Sequence, residues 1–170
     1  MPKATVTQAI WEYLTPETSG IPNLGSVYTA LPKVANESDL FQNSYPGIGL
    51  GAVIYMFMTA QSERRIALGG VHSGRKFRIY NLGLLIVFKS NLSQTVQGQA
   101  AFDDFIDNLT AYVEADRNAG NAQVVFQWGE GGEAGGTDLQ FDYTFPRTLD
   151  GGVTLFQGVG HISVCEILNT

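Results

Sequence analysis

Apolar residues at Val6, Ala9, Ile10, Tyr13 and Leu14 recur at helical spacing and predict an amphipathic helix over Thr5–Leu14. Thr5, with Gln8 three residues on, has the form of a capping box and places the cap at Thr5. Two prolines and a glycine within Thr15–Pro22 predict a loop. Val27–Val34 is β-like, and Pro32, which cannot donate into a ladder, makes it an edge strand or ends it there. Asn36–Gly47 is polar and turn-rich. Gly51–Gln61 (GAVIYMFMTAQ) is apolar on both faces, as in a central strand covered from both sides. Arg65–Leu68 reads as a short separate strand. Arg75–Lys89 (RKFRIYNLGLLIVFK) begins in alternation and becomes apolar throughout at Leu84–Phe88, so it predicts a strand running from a solvated arm into a buried core.

A second helix is predicted over Gln99–Arg117. Phe102, Phe105, Ile106, Leu109, Tyr112 and Val113 form its stripe, Asp103 and Asp104 fall in its first turn where they suit the dipole, and Gly120 ends it. Ala122–Trp128 predicts another strand. Leu139, Phe141, Tyr143 and Phe145 alternate with Asp138, Gln140, Asp142 and Thr144, the pattern of a half-buried antiparallel strand. Val153–Gln157 and Ile162–Leu168 predict the last two. No internal repeat or domain boundary interrupts the pattern. The expectation is one α+β domain, 1–170: a mixed, mostly antiparallel β-sheet with two main helices packed on it, plus an extended basic hairpin.

Composition narrows the classes. With 170 residues, 44% of them apolar, the chain can bury a core of its own, and disorder is excluded as its main state. One cysteine excludes an internal disulfide framework and a multi-cysteine zinc site. The longest apolar stretch, Ile48–Ala60, spans 13 residues, short of the roughly 20 a membrane helix needs. The N-terminal segment is amphipathic rather than continuously apolar, so no signal peptide is expected.

Charge is lopsided. Residues 1–100 hold eight Lys/Arg and five Asp/Glu, a balance of +3, whereas residues 101–170 hold two against eleven, a balance of −9. Five of the ten basic residues, Arg64, Arg65, Arg75, Lys76 and Arg78, fall within 15 positions. They are either a chance cluster on a solvated hairpin or the basic arm of a bipolar subunit that meets an acidic face on a copy of itself or on a partner. The net charge of −6 argues against tight, sequence-independent nucleic-acid binding.

Candidate chemistry is sparse. Gly129–Ala134 (GEGGEA) matches G-x-G-x-x-A after a predicted strand, but Gly135-Gly136-Thr137-Asp138 leads into another strand rather than a helix, so no helix N-terminus faces a pyrophosphate. It is expected to be a hairpin tip. His161, Ser163 and Cys165 share one face of a strand. That gives two soft ligands, too few for a zinc site, or a thiolate–imidazolium pair, against the plainer reading of a buried strand cysteine beside an incidental histidine. His72 has no partner at ligand spacing. Asp103 and Asp107 share a helix face with Asp104 beside them, either a carboxylate pair or a solvated surface. No Gly-x-Ser-x-Gly elbow occurs. No catalytic, cofactor-binding or metal-binding residue is therefore assigned. Trp11, Phe41, Tyr45 and Trp128 are either core or interface anchors.

The order of segments is an N-terminal VTQAIWEYL helix, a SGIPNLGSVY turn, strands, a basic hairpin, an acidic FDDFIDNLTAYVEADRN helix and strands closing in GHISVCEIL. This resembles the tail terminator, tail-to-head joining or minor tail proteins of long-tailed bacteriophages. The resemblance covers most of the chain through size and element order, without a diagnostic motif. It implies a structural virion protein of the head–tail junction, assembled in the host cytoplasm, with no catalysis and no cofactor. Such a protein forms a homo-oligomer, a hexameric ring that caps the tail tube protein, stops its polymerisation and presents a surface to the head-side connector or stopper. DNA would transit the channel without being read, and no membrane would be involved. The charge pattern is compatible, with Arg64, Arg65, Arg75, Lys76 and Arg78 expected to meet Asp103, Asp104 and Asp107 of a neighbour. The alternatives are a tail tube or head–tail stopper subunit, or a small ligand-binding or enzymatic α+β domain using His161 and Cys165.

Overall fold

The computed structural model describes residues 3–31, 50–68, 74–92, 94–116, 126–128, 139–149 and 152–169, with backbone alone at 3–5, 64–68, 74–77, 126–128, 165 and 167–169. In chain order the elements are α1 (Lys3–Leu14), α2 (Pro16–Ser19), β1 (Leu24–Tyr28), β2 (Leu50–Leu68), β3 (Gly74–Ser90), α3 (Thr95–Ala115), β4 (Phe126–Trp128), β5 (Gln140–Tyr143), β6 (Arg147–Leu149) and β7 (Val153–Asn169). The strands form one sheet in the order β1-β2-β3-β7-β4, with β5 and β6 also paired to β7. β1 runs parallel to β2, and every other described pair is antiparallel. This is the mixed, mostly antiparallel α+β architecture that the sequence predicts.

Period-two alternation explains the layering. Ala52, Ile54 and Met56 of β2, Leu82, Leu84, Ile86 and Phe88 of β3, and Phe156, Ile162 and Val164 of β7 form one apolar cluster with the helices. The predicted stripes meet it from above: Val6, Ile10 and Leu14 from α1, and Phe102, Phe105, Ile106, Leu109 and Val113 from α3. Phe88 sits at its centre, with ring centroids 5.6 Å from Phe102, 5.8 Å from Phe105 and 6.3 Å from Phe156. On the opposite face Val53, Tyr55, Val87 and Leu155 are buried as a second cluster. The two-faced burial expected of Gly51–Gln61 is observed over Gly51–Met56, whereas Thr59, Ala60 and Gln61 are exposed.

The two main helices are tied at their ends. The Tyr13 and Tyr112 rings stack at 4.6 Å, and each hydroxyl donates to the other residue's carbonyl oxygen, at 3.1 and 3.2 Å. Trp11 anchors α1 to the sheet by donating its indole N–H to the Val27 carbonyl oxygen at 2.7 Å.

Several boundaries differ from the expectations. α1 begins at Lys3, so Thr5 lies inside it and is not the cap. α3 begins at Thr95, so Asp103 and Asp104 lie beyond its first turn, which holds no acidic residue. Its opening turn is solvated at Val96, which breaks the apolar stripe that set the predicted start at Gln99. The predicted loop contains one helical turn, because Pro16 stands at the first position, where its missing N–H costs nothing, and Gly20 closes it at φ 60°. β1 lies three residues earlier than predicted; Pro32 and Asn36–Gly47 fall outside the described residues.

The strand expected at Arg65–Leu68 is the end of β2, which continues across register shifts between Met58 and Ala60 and between Arg65 and Ala67. The two strands expected at the C-terminal end are the single β7. Gly158 and Gly160 lie inside β7 because β5 crosses there: a Cβ on Gly160 would stand 2.6 Å from the Phe141 ring. The strand expected through Phe145 ends at Tyr143, where the Thr144 N–H turns to the Gln157 carbonyl oxygen at 3.0 Å. Of the predicted Ala122–Trp128 strand, the described part is β4. Gly129–Ala134, Gly120, His72, Phe41 and Tyr45 lie outside the described residues.

Candidate interaction surfaces

Three surfaces carry polar chemistry: the hairpin, the outward side of α3, and a depression on the sheet face away from the helices. The hairpin is β2 and β3, paired in register from Leu50↔Ser90 to Leu68↔Gly74. Past Met58 the pairing continues as Gln61↔Tyr80, Glu63↔Arg78 and Arg65↔Lys76, and β7 accompanies it with Tyr80↔Val164 and Arg78↔Glu166. The helix-covered apolar stretch therefore ends in a polar row spanning three strands.

That row is internally bonded. Tyr80, fully buried, donates its hydroxyl to Glu166 Oε2 at 3.0 Å. Arg78 donates from Nη2 to Glu63 Oε2 at 3.1 Å, and its Nη1 stands 3.9 Å from Glu166 Oε2. Hydrogen bonds with Tyr80 and then Glu63 hold the Arg78 guanidinium above its ordinary value. Burial is the main cause that pushes the Tyr80 phenol up. Glu166 is 3% exposed. It was invisible as a functional or structural centre in the sequence, where it is one acid in an apolar strand. Its signal was pairing: an arginine and a tyrosine two positions apart on the neighbouring strand.

Of the expected interface residues, Arg64, Arg65, Arg75 and Lys76 lie on the hairpin strands, Arg65 directly opposite Lys76. Arg78 is committed to Glu63 within its own subunit. Asp103, Asp104 and Asp107 are exposed on α3. Asp103 Oδ1 accepts a hydrogen bond from Gln99 Nε2 at 2.8 Å, and the Asp104 carbonyl oxygen accepts one from Asn108 Nδ2 at 2.7 Å. The basic residues thus lie on the hairpin strands and the acidic ones on α3, separate elements of the chain.

The third surface is a shallow depression of about 350 Å³ bordered by Thr59, Ser62, Ile79, Asn81, His161 and Ser163. Ser163 donates its hydroxyl to Asn81 Oδ1 at 2.8 Å, and the register shift beside Thr59 lets its hydroxyl donate to the Asn81 carbonyl oxygen at 3.0 Å. His161, 45% exposed at its side chain, places Nε2 3.4 Å from Asp142 Oδ2. The backbone sets Cys165 opposite Ile79 and Gln127, two strand positions beyond Ser163; its side chain is not described. Among the described residues, no group of three or more His, Cys, Asp or Glu could hold a metal ion, and no helix is long and apolar enough to cross a membrane.

No protein-family model matches the chain, and no curated protein matches it. Among solved structures, it is similar to a chain of the virion of the native gene transfer agent particle, at 12% identity and a TM-score of 0.33, with 94% of each chain covered.

Proposed function

We propose that this chain is a structural virion protein, a tail terminator whose copies close head-to-tail into a ring, six by the resemblance of its sequence to that family. The ring caps the tail tube, halts its growth and offers its other side to the head connector, while DNA passes through without being read. No residue is assigned a catalytic role and no cofactor is required.

One observation supports this reading above the rest: the β2–β3 ladder runs on past the apolar cluster of the described residues. β2 and β3 continue in pairing from Ser62↔Ile79 to Leu68↔Gly74, beyond the apolar cluster packed under the helices. The strands there carry Arg64, Arg65, Arg75, Lys76 and Arg78. A ladder that runs past the described core and carries five cations suits a contact with another subunit. Asp103, Asp104 and Asp107 supply an exposed acidic surface elsewhere on the subunit. A contact between two different patches generates a closed ring where the rotation closes, and opposite potentials fix its register.

Native mass spectrometry over a range of salt concentrations tests the proposal. Six copies at low salt, fewer at high salt, and discrete rings by electron microscopy are expected. Tubes of unlimited length would instead make the chain a tube subunit. Reversing Arg75 and Lys76 to Glu is expected to weaken the ring; an unchanged mass at every salt concentration would count against the arm as the contact.

A further inference from the structure

The outward side of α3 carries apolar surface as well as charge. Val96, Ala100, Asp103 and Asp107 follow one exposed stripe of the helix. Beside it stands Tyr143, 56% exposed, and two residues on is Phe145, 94% exposed. Large aromatic rings in water are unusual unless something covers them.

The Tyr143 ring is held in place. Tyr143 meets Phe102 edge-on at 5.9 Å and stacks with Phe141 at 6.5 Å. Between the two aromatics, Thr144 donates both its N–H and its hydroxyl to the Gln157 carbonyl oxygen, at 3.0 and 3.3 Å. Burial, then the neighbouring Asp103 and Asp107 carboxylates, push the Tyr143 phenol up. The surface is therefore a fixed tyrosine ring with negative charge at its edge and an exposed phenylalanine two residues on. Its matching partner is a guanidinium or ammonium group, which gains from the ring face and the carboxylate together.

We propose that Tyr143 and Phe145, flanked by Asp103 and Asp107, form the docking surface for the basic β2–β3 hairpin of a second copy of this chain. The proposal rests on the ring reading above and names the anchor that reading lacks. Charge complementarity selects the occupant: five of the ten Lys/Arg lie in Arg64–Arg78, and residues 101–170 carry −9. Distance excludes the subunit's own hairpin. Tyr143 is paired with Gly158 of β7, whereas Arg75 and Lys76 are paired with Asn169 and Leu168. Eleven strand positions separate Gly158 from Asn169, roughly 35 Å of extended chain. The hairpin and the aromatic surface thus sit at opposite ends of the same strand, and their contact is head-to-tail between copies.

Two paired variants of the full chain test this by native mass spectrometry, each checked for a retained thermal transition. Phe145→Ala with Asp107→Lys removes the docking surface and keeps the hairpin. Arg65→Glu with Lys76→Glu removes the hairpin and keeps the docking surface. Each alone is expected to lose the ring, with apparent association weakened on the order of tenfold or more. Their equimolar mixture is expected to give a one-to-one heterodimer and no ring, because only one complementary contact remains. Rings that persist in the Phe145/Asp107 variant, or that form in the mixture, would overturn the docking surface and leave the ring reading standing. A wild-type chain that stays single at every concentration would overturn both.

Discussion

The strands β2, β3 and β7 pass through two regions with opposite chemistry. In the helix-covered region the alternate residues facing α1 and α3 are Ile54, Met56, Leu84, Ile86, Phe88 and Phe156, packed as one cluster. In the hairpin region the row across the same three strands is Glu63, Arg78 and Glu166. The backbone ladder is continuous from one to the other, so hydrogen bonding between strands does not distinguish them. Only side-chain burial does. Among the described residues, apolar burial is concentrated in the helix-covered region, and the Glu63–Arg78–Glu166 row is polar.

The sharpest way to break that contrast is to cut into the apolar end. Phe88 is fully buried against Phe102, Phe105 and Phe156. Phe88→Ala removes a ring and leaves a cavity, and is expected to cost about 3–5 kcal/mol in urea unfolding. A loss below about 1 kcal/mol would mean that the cluster is not the centre of stability.

The polar row gives a smaller effect at its junction with the core. Glu166→Ala leaves the buried Tyr80 hydroxyl without its acceptor and takes a carboxylate from beside Arg78. The expected loss is about 1–3 kcal/mol, and Glu166→Gln, which keeps an acceptor, is expected to retain part of it. Equal unfolding midpoints for the two variants would show that the hydrogen bond does not matter and only the charge does.

The same contrast explains what the sequence could and could not tell. The stripes of α1 and α3, the two-faced β2 and the arm-to-core transition in β3 were legible because burial imposes a period on them. The ends of α3 and β5 were not. Val96, Tyr143 and Phe145 are apolar residues left in water, so they break the period from which boundaries are inferred. The continuity of β7 was hidden by Gly158 and Gly160, which resemble a break until Phe141 is placed against them. The basic cluster and the acids of α3 were legible as composition. That Arg78 bonds Glu63 within the subunit required the strand register.

A pH scan separates the helical junction from the rest. Burial, then Tyr112 and Asp116, raise the Tyr13 phenol well above its ordinary value of 10.0. A raised folded-state value contributes stability that is fully present below pH 10 and lost as pH rises through the folded value, because the unfolded chain ionises first. Stability is therefore expected to fall above about pH 10, as the unfolded chain reaches the ordinary tyrosine range. Tyr13→Phe should cost about 0.5–1.5 kcal/mol at neutral pH by removing the bond to the Tyr112 carbonyl oxygen, and flatten the alkaline fall. An alkaline fall of unchanged slope in Tyr13→Phe would assign it to other tyrosines, Tyr80 and Tyr112 among them.

The smallest stability effect is expected at the most exposed aromatic among the described residues, and there its smallness is informative. Phe145 is 94% exposed, so truncating it removes almost no buried area from the single subunit. Phe145→Ala should shift unfolding by no more than about 0.5 kcal/mol when measured on dissociated chain at high salt. At low salt, where the proposed ring would form, the same substitution should lower the melting temperature in proportion to the lost association, because binding to the folded state alone stabilises it by mass action. A residue neutral in one condition and costly in the other is one whose burial is completed by a second molecule. If Phe145→Ala is equally costly in both, the ring is packed within its own subunit and the contrast between a self-sufficient core and a partner-dependent surface fails at this position.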